Sequence, residues 1–160
     1  MRARCLLLVP LLFASCGVVH DWQEVQSRPM TFGDCYEGFL HIANGAGYTS
    51  DDSISDRGTG IWQSRWRFRV YPQNRHPARY RLHAEIQVEE GSAAKGWLLR
   101  FAIEQEVVDD LRRSIEPREE DWSSKGQDSE GEAILAEALV RRIGPMPTRP
   151  EPGKAPANDR

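Results

Sequence analysis

Cysteine is scarce in this chain: only Cys5, Cys16 and Cys35 occur, and the first two fall in its apolar start. An intramolecular disulfide framework is thereby excluded. Positive charge is also in deficit. The formal net charge of -3 falls to -5 if Arg2 and Arg4 leave with the N-terminal segment, which removes electrostatic support for a general nucleic-acid role. The four histidines, His20, His41, His76 and His83, stand at no metal-ligating spacing, and HExxH is absent. GxSxG, P-loop and dinucleotide-binding fingerprints are missing as well. Motifs therefore point to no catalytic residue, no metal and no cofactor. Long apolar runs are lacking too, since Cys5 to Phe13 falls well short of the about 20 residues that a bilayer span needs.

What is present is enough for one core. Hydrophobic residues make up 39% of the 160, with five Trp, five Phe and four Tyr, so the middle of the chain is expected to fold rather than stay disordered. Length leaves room for a single domain, read as residues 30–144. Residues 1–15 form a basic n-region and an apolar h-region, the pattern of an export signal. Residues 16–29 follow as a tether, and 145–160, rich in Pro and without apolar period, as a disordered tail.

The segment Phe13-Ala14-Ser15-Cys16, followed by Gly17, resembles the lipobox of bacterial lipoproteins. Phe13 departs from the aliphatic residue usual in that family. The resemblance implies cleavage before Cys16, acylation of that cysteine with palmitate-type chains, and a mature protein held on a membrane. Gly17, where the family uses Asp for inner-membrane retention, implies the outer membrane, facing the periplasm. The alternative is an ordinary signal peptide cleaved near Ala14 or Ser15. Acyl anchoring rests on about 0.8 kcal/mol per buried methylene, which several chains make effectively permanent.

Within the domain, Thr31-Phe-Gly-Asp34 fits a capping box, and Cys35, Tyr36, Phe39, Leu40 and Ala43 recur at helical steps until Asn44-Gly45 stops them. Trp62 to Tyr71 alternates strictly, with Trp62, Ser64, Trp66, Phe68 and Val70 on one face and Arg65, Arg67 and Arg69 on the other. Arg79 to Glu89 and Trp97 to Val107 alternate again. Charge pairing suggests a register that places Arg65 opposite Glu85, Arg81 opposite Glu106 and His83 opposite Glu104. Glu116 to Gln127 reads as a polar loop, and Ser129-Glu-Gly-Glu132 opens a second helix that ends before Gly144-Pro145. The expected architecture is α+β: a three-stranded antiparallel meander, four-stranded if Val18 to Gln26 adds a strand, with two helices on its apolar face.

Two segments carry candidate binding chemistry. Alternation puts Arg65, Arg67 and Arg69 on a solvated face, where they could dock an anionic headgroup, a polysaccharide or an acidic protein patch. Asp51, Asp52 and Asp56 lie in a loop running to Gly60 with spaced oxygen ligands, but the loop lacks the glycine and the closing Glu of a calcium-binding EF-hand. Cys35 sits on an apolar stripe, as a structural thiol does. The leading expectation is a non-enzymatic, lipid-anchored envelope module that binds a partner or assists assembly. The alternative is a small periplasmic hydrolase or ligand receptor built on the Asp51–Gly60 loop.

Overall fold

The computed structural model describes residues 21–72, 75–113 and 115–145. Cys16, the export signal and most of the tail lie outside the described residues. The fold is α+β, an antiparallel sheet with two helices packed against it. Its elements are β1 (Gln23–Gln26), α1 (Phe32–Gly45), β2 (Ile61–Gln63), β3 (Arg67–Val70), β4 (Pro77–Ile86), β5 (Leu98–Val108), β6 (Trp122–Gln127) and α2 (Ser129–Ile143).

The long strands β4 and β5 pair along nearly their whole length and carry the sheet. Each outer edge is filled by two short strands end to end. Strands β2 and β3 share the free edge of β4, while β1 and β6 share that of β5. The sheet order β1-β5-β4-β2 is thus four strands wide without closing on itself. The fourth position is filled by residues 23–26, within the Val18 to Gln26 segment expected above as a possible fourth strand at the end of the tether, and by 122–127, read above as loop.

Alternation sorts the two long strands as expected. Tyr80, Leu82, Ala84 and Ile86, with Leu99, Phe101 and Ile103, are all buried on the helix side, and each removes about 1.5 to 3 kcal/mol worth of apolar side chain from water in the larger cases. From α1 come Cys35, Tyr36, Phe39 and Ala43, and from α2 Leu135, Leu139 and Ile143. Phe39 meets Trp62 edge-on at 5.1 Å between ring centroids, the offset geometry that aromatic quadrupoles favour.

Caps fix both helices. Thr31 Oγ1 accepts from the Asp34 amide at 3.1 Å, as its spacing predicts. Helix α2 is capped one residue earlier than the Ser129 box implies: Asp128 accepts from the Gly131 amide at 3.1 Å. Glu132, freed from that task, is buried and accepts from the Ile103 amide at 2.8 Å and from Gln127 Nε2 at 2.7 Å. It joins α2 to β5. At the far end, the Arg28 amide donates to Ile143 O at 2.8 Å and Arg28 Nη1 to Arg142 O at 2.9 Å, which satisfies carbonyls that a helix end leaves open. Among the described residues, no helix is long and apolar enough to cross a membrane.

The expected cross-strand register does not hold. Arg81 stands opposite Glu104, His83 opposite Ala102, and Glu85 opposite Ile61 rather than Arg65. Side chains in the core set these pairings, and surface charges adapt through diagonal contacts such as His83 Nε2 to Glu104 Oε2 at 3.2 Å.

Candidate functional site

The site begins at an irregularity in the strand Trp62 to Tyr71. Residues 61–63 pair with 85–83, and the Ser64 amide donates to Leu82 O at 2.9 Å. Leu82 then turns its own amide to Ser64 Oγ at 2.9 Å, while the Arg65 amide leaves the sheet for Thr49 O at 2.8 Å. Pairing resumes with Arg67 opposite Tyr80, one residue late. Such a bulge reverses which face each later side chain meets.

The consequence overturns the face assignment made from alternation. Trp62 and Ser64 are buried on the helix side as expected, but Phe68 and Val70 emerge on the opposite face, 67% and 61% exposed. Arg67 and Arg69, opposite Tyr80 and Ala78, turn toward the helices. Arg65 stays exposed at the bulge itself. The three arginines therefore do not form one basic face.

Trp66 likewise leaves the core and joins the helix-free face. There Arg79, only 5% exposed, lies with its guanidinium carbon 4.3 Å from the Trp66 ring centroid and 4.6 Å from that of Trp122. Arg81 covers the same Trp66 ring at 3.9 Å. Arg79 Nε pairs with Glu106 at 2.5 Å, and its two Nη atoms reach Glu119 at 2.9 and 2.8 Å. Burial works against the charge of Arg79, but the hydrogen bonds to Glu119 and Glu106 outweigh it and raise its pKa. With each of its three nitrogens bonded to a carboxylate, Arg79 ties the sheet face together rather than offering a free cation.

On the helix side, Arg67 and Arg69 border a cleft of about 410 Å³ between the C-terminal half of α1, the N-terminal half of α2 and β3. Its walls are mainly apolar: Ile42, Gly45, Ala46 and Tyr48 on one side, Ile134, Leu135 and Ala138 on the other. Ile134 is 65% exposed there, an apolar helical position left uncovered. A second, polar recess of about 480 Å³ adjoins it and shares Arg69, Asp128, Gly131 and Ile134.

The two arginines differ in freedom. Arg67 Nη1 donates to the carbonyl of Ala46, the residue that caps α1, and its guanidinium lies 5.4 Å from the Tyr48 ring centroid. A cation at a helix C-terminus is favoured by the macrodipole. Gly47 sits beneath it at φ +84°, and a Cβ there would come within 3.0 Å of the guanidinium. Burial, with the neighbouring charge of Arg69, lowers the pKa of Arg67 below the ordinary guanidinium range. Burial pushes the Tyr48 phenol up, against the pull of Arg67. The Arg69 side chain is exposed and, among the described residues, makes no hydrogen bond or ion pair, its backbone alone pairing with β4.

The aspartate loop behaves differently. Asp51 accepts from the Ser53 amide and hydroxyl at 3.2 and 2.7 Å, which lowers its pKa. Asp56 accepts from the Gly58 amide at 2.8 Å and the Thr59 hydroxyl at 3.2 Å. These are turn-forming side chains at work on their own backbone, and Asp52 is exposed beside them. None of the three lines either recess. No group of three or more His, Cys, Asp or Glu suited to a metal occurs among the described residues. Cys35 is fully buried, and burial raises its thiol pKa.

Sequence reading named Arg67 and Arg69 but missed their surroundings. Asp128, Ile134, Ala138 and Tyr48 carried no motif, and nothing in the sequence marks Ile134 as an apolar position of α2 left exposed. Comparison of the chain with protein-family models and with curated proteins yields no match.

Proposed function

We propose that this chain is an exported, lipid-tethered envelope protein, held through Cys16 on the outer membrane and facing the periplasm, that works as a binding module and not as an enzyme. The observation that carries the binding reading is the cleft between α1, α2 and β3, in which apolar walls meet a small number of polar groups. Small-molecule sites have this composition, and volumes of roughly 300 to 1,000 Å³ are usual for them. The export and tether rest on the pattern of residues 1–16. A hydrolase using the Asp51–Gly60 loop has less support, because Asp51 and Asp56 spend their carboxylates on local turns.

The test is native mass spectrometry of the protein purified from envelope fractions, with and without Ile134→Asp. Ile134 is 65% exposed, so the change puts a charge in the cleft wall without opening the core. The expected result is a small-molecule adduct on the wild type that the variant loses while its thermal midpoint is kept. An adduct-free wild type, or an adduct unchanged in Ile134→Asp, contradicts the reading.

A further inference from the structure

The cleft has a direction. Its floor and sides along Ile42, Leu135 and Ala138 are apolar, whereas beyond Ile134 it opens into the polar recess lined by Tyr80, Gln127 and Ser129. Arg69 stands at the junction and borders both. A ligand matched to this layout has an apolar body and a polar end, with the polar end beside the guanidinium.

The sign of that end follows from the charges present. Arg67 and Arg69 face the apolar cleft, against the single carboxylate of Asp128. That carboxylate is already engaged, since Asp128 accepts from the Gly131 amide at the N-terminus of α2, where the helix dipole offsets negative charge. Glu130 and Lys125 border the polar recess, and Lys125 is paired with Asp109 at 2.9 Å. Arg67 is held in place by Ala46 and Tyr48. The Arg69 guanidinium can form a two-pronged hydrogen bond with a carboxylate, and among the described residues its side chain has no hydrogen bond or ion pair.

Resting on the reading of this cleft as the binding site, we propose that its ligand is a single-chain anionic amphiphile, a fatty carboxylate, with the chain between α1 and α2 and the head on Arg69. Arg67, already fixed by Ala46 and Tyr48, supplies a second, preorganised positive charge that costs no ordering on binding. Arg69 is the specificity residue: it selects the sign of the head, while the apolar walls select for the tail.

The experiment uses the full chain carrying Cys16→Ala, so that acyl groups of its own cannot compete. Submicellar decanoate, decyltrimethylammonium and acetate are titrated in turn, with affinity from calorimetry and location from backbone amide shifts. Decanoate is expected to bind and to shift the amides of Gly45, Gly131 and Ala138. Arg69→Gln is expected to weaken it about tenfold, the scale of a charged hydrogen bond, with an unchanged thermal midpoint. Decyltrimethylammonium and acetate are expected to bind at least tenfold more weakly. Equal affinity for the cationic chain, for acetate, or for decanoate in Arg69→Gln overturns the anionic-amphiphile assignment while cleft shifts keep the site. Shifts in the cleft with none of the probes, or binding that maps elsewhere, defeat the site reading itself.

Discussion

Arg79 is the residue on which the helix-free face depends. Its side chain is 6% exposed and that of Glu106 17%, whereas Glu119 is 82% exposed. The Glu106 contact is therefore the one removed from solvent screening, and the Glu119 contact contributes little at the surface. Arg79→Ala is expected to cost about 3 kcal/mol in urea denaturation, because Glu106 is left with an uncompensated, mostly buried charge. Glu119→Ala is expected to cost much less than Arg79→Ala, because its partner contact is screened by solvent. The sign of the pH effect follows from Glu119, whose hydrogen bond to Arg79 lowers its pKa from the ordinary 4.5. A depressed carboxylate stabilises the fold above its unfolded value and loses that contribution as pH falls through the folded one. The stability difference between wild type and Glu119→Gln should thus narrow as pH is lowered from about 4.5, and a gap that widens in acid would contradict the pairing.

Residues of this kind are hard to read from a sequence. Arg79 alternates with core residues as any solvated arginine does. Only the arrival of Trp66 and Trp122 from two other strands removes it from water. Thr31 and Cys35, by contrast, act through neighbours three or four positions away, and their roles follow from spacing alone.

At the scale of elements, α1 and α2 meet through a glycine. Replacing a helical Gly by Ala ordinarily gains up to about 1 kcal/mol. At Gly38, a Cβ would come within 2.5 Å of the Ile143 Cγ2 methyl, so Gly38→Ala is expected to destabilise by about 1 to 3 kcal/mol through overpacking. Ile143→Leu removes the branch that carries this methyl. In a double-mutant cycle it should recover part of the loss, and strict additivity would show that the two positions do not collide.

The legibility of the strands divides along a physical line. Strands β4 and β5 are long, half-buried and alternating, and their faces were plain from composition. The bulge before Arg67 was not, because one extra residue leaves alternation intact and changes only the partner: Arg65, Arg67 and Arg69 still alternate, yet two of them turn to the helices. Strand β1, Gln-Glu-Val-Gln, falls within the Val18 to Gln26 segment named as a possible fourth strand, whereas β6, Trp-Ser-Ser-Lys-Gly-Gln, has too few apolar or branched residues to announce itself. They are strands because β5 offers an edge that needs pairing. The cleft was illegible for the same reason, being assembled from α1, β3 and α2 across more than 80 positions of sequence.

For the whole molecule, the domain and the start of the chain make complementary demands. On the proposed reading, acyl groups at Cys16 keep the domain within reach of a bilayer, and the cleft between α1 and α2 is where a single-chain amphiphile would sit. Placement of the domain at a membrane surface rests on the proposed tether at Cys16 alone. The measurement that tests it most directly is the intact mass of the mature protein from membrane and soluble fractions, for wild type and for Cys16→Ala. The account predicts a chain that starts at Cys16 with the added mass of acyl groups, found with membranes, and a Cys16→Ala variant without that mass in the soluble fraction. A soluble, unacylated wild type, or membrane association untouched by Cys16→Ala, would contradict it.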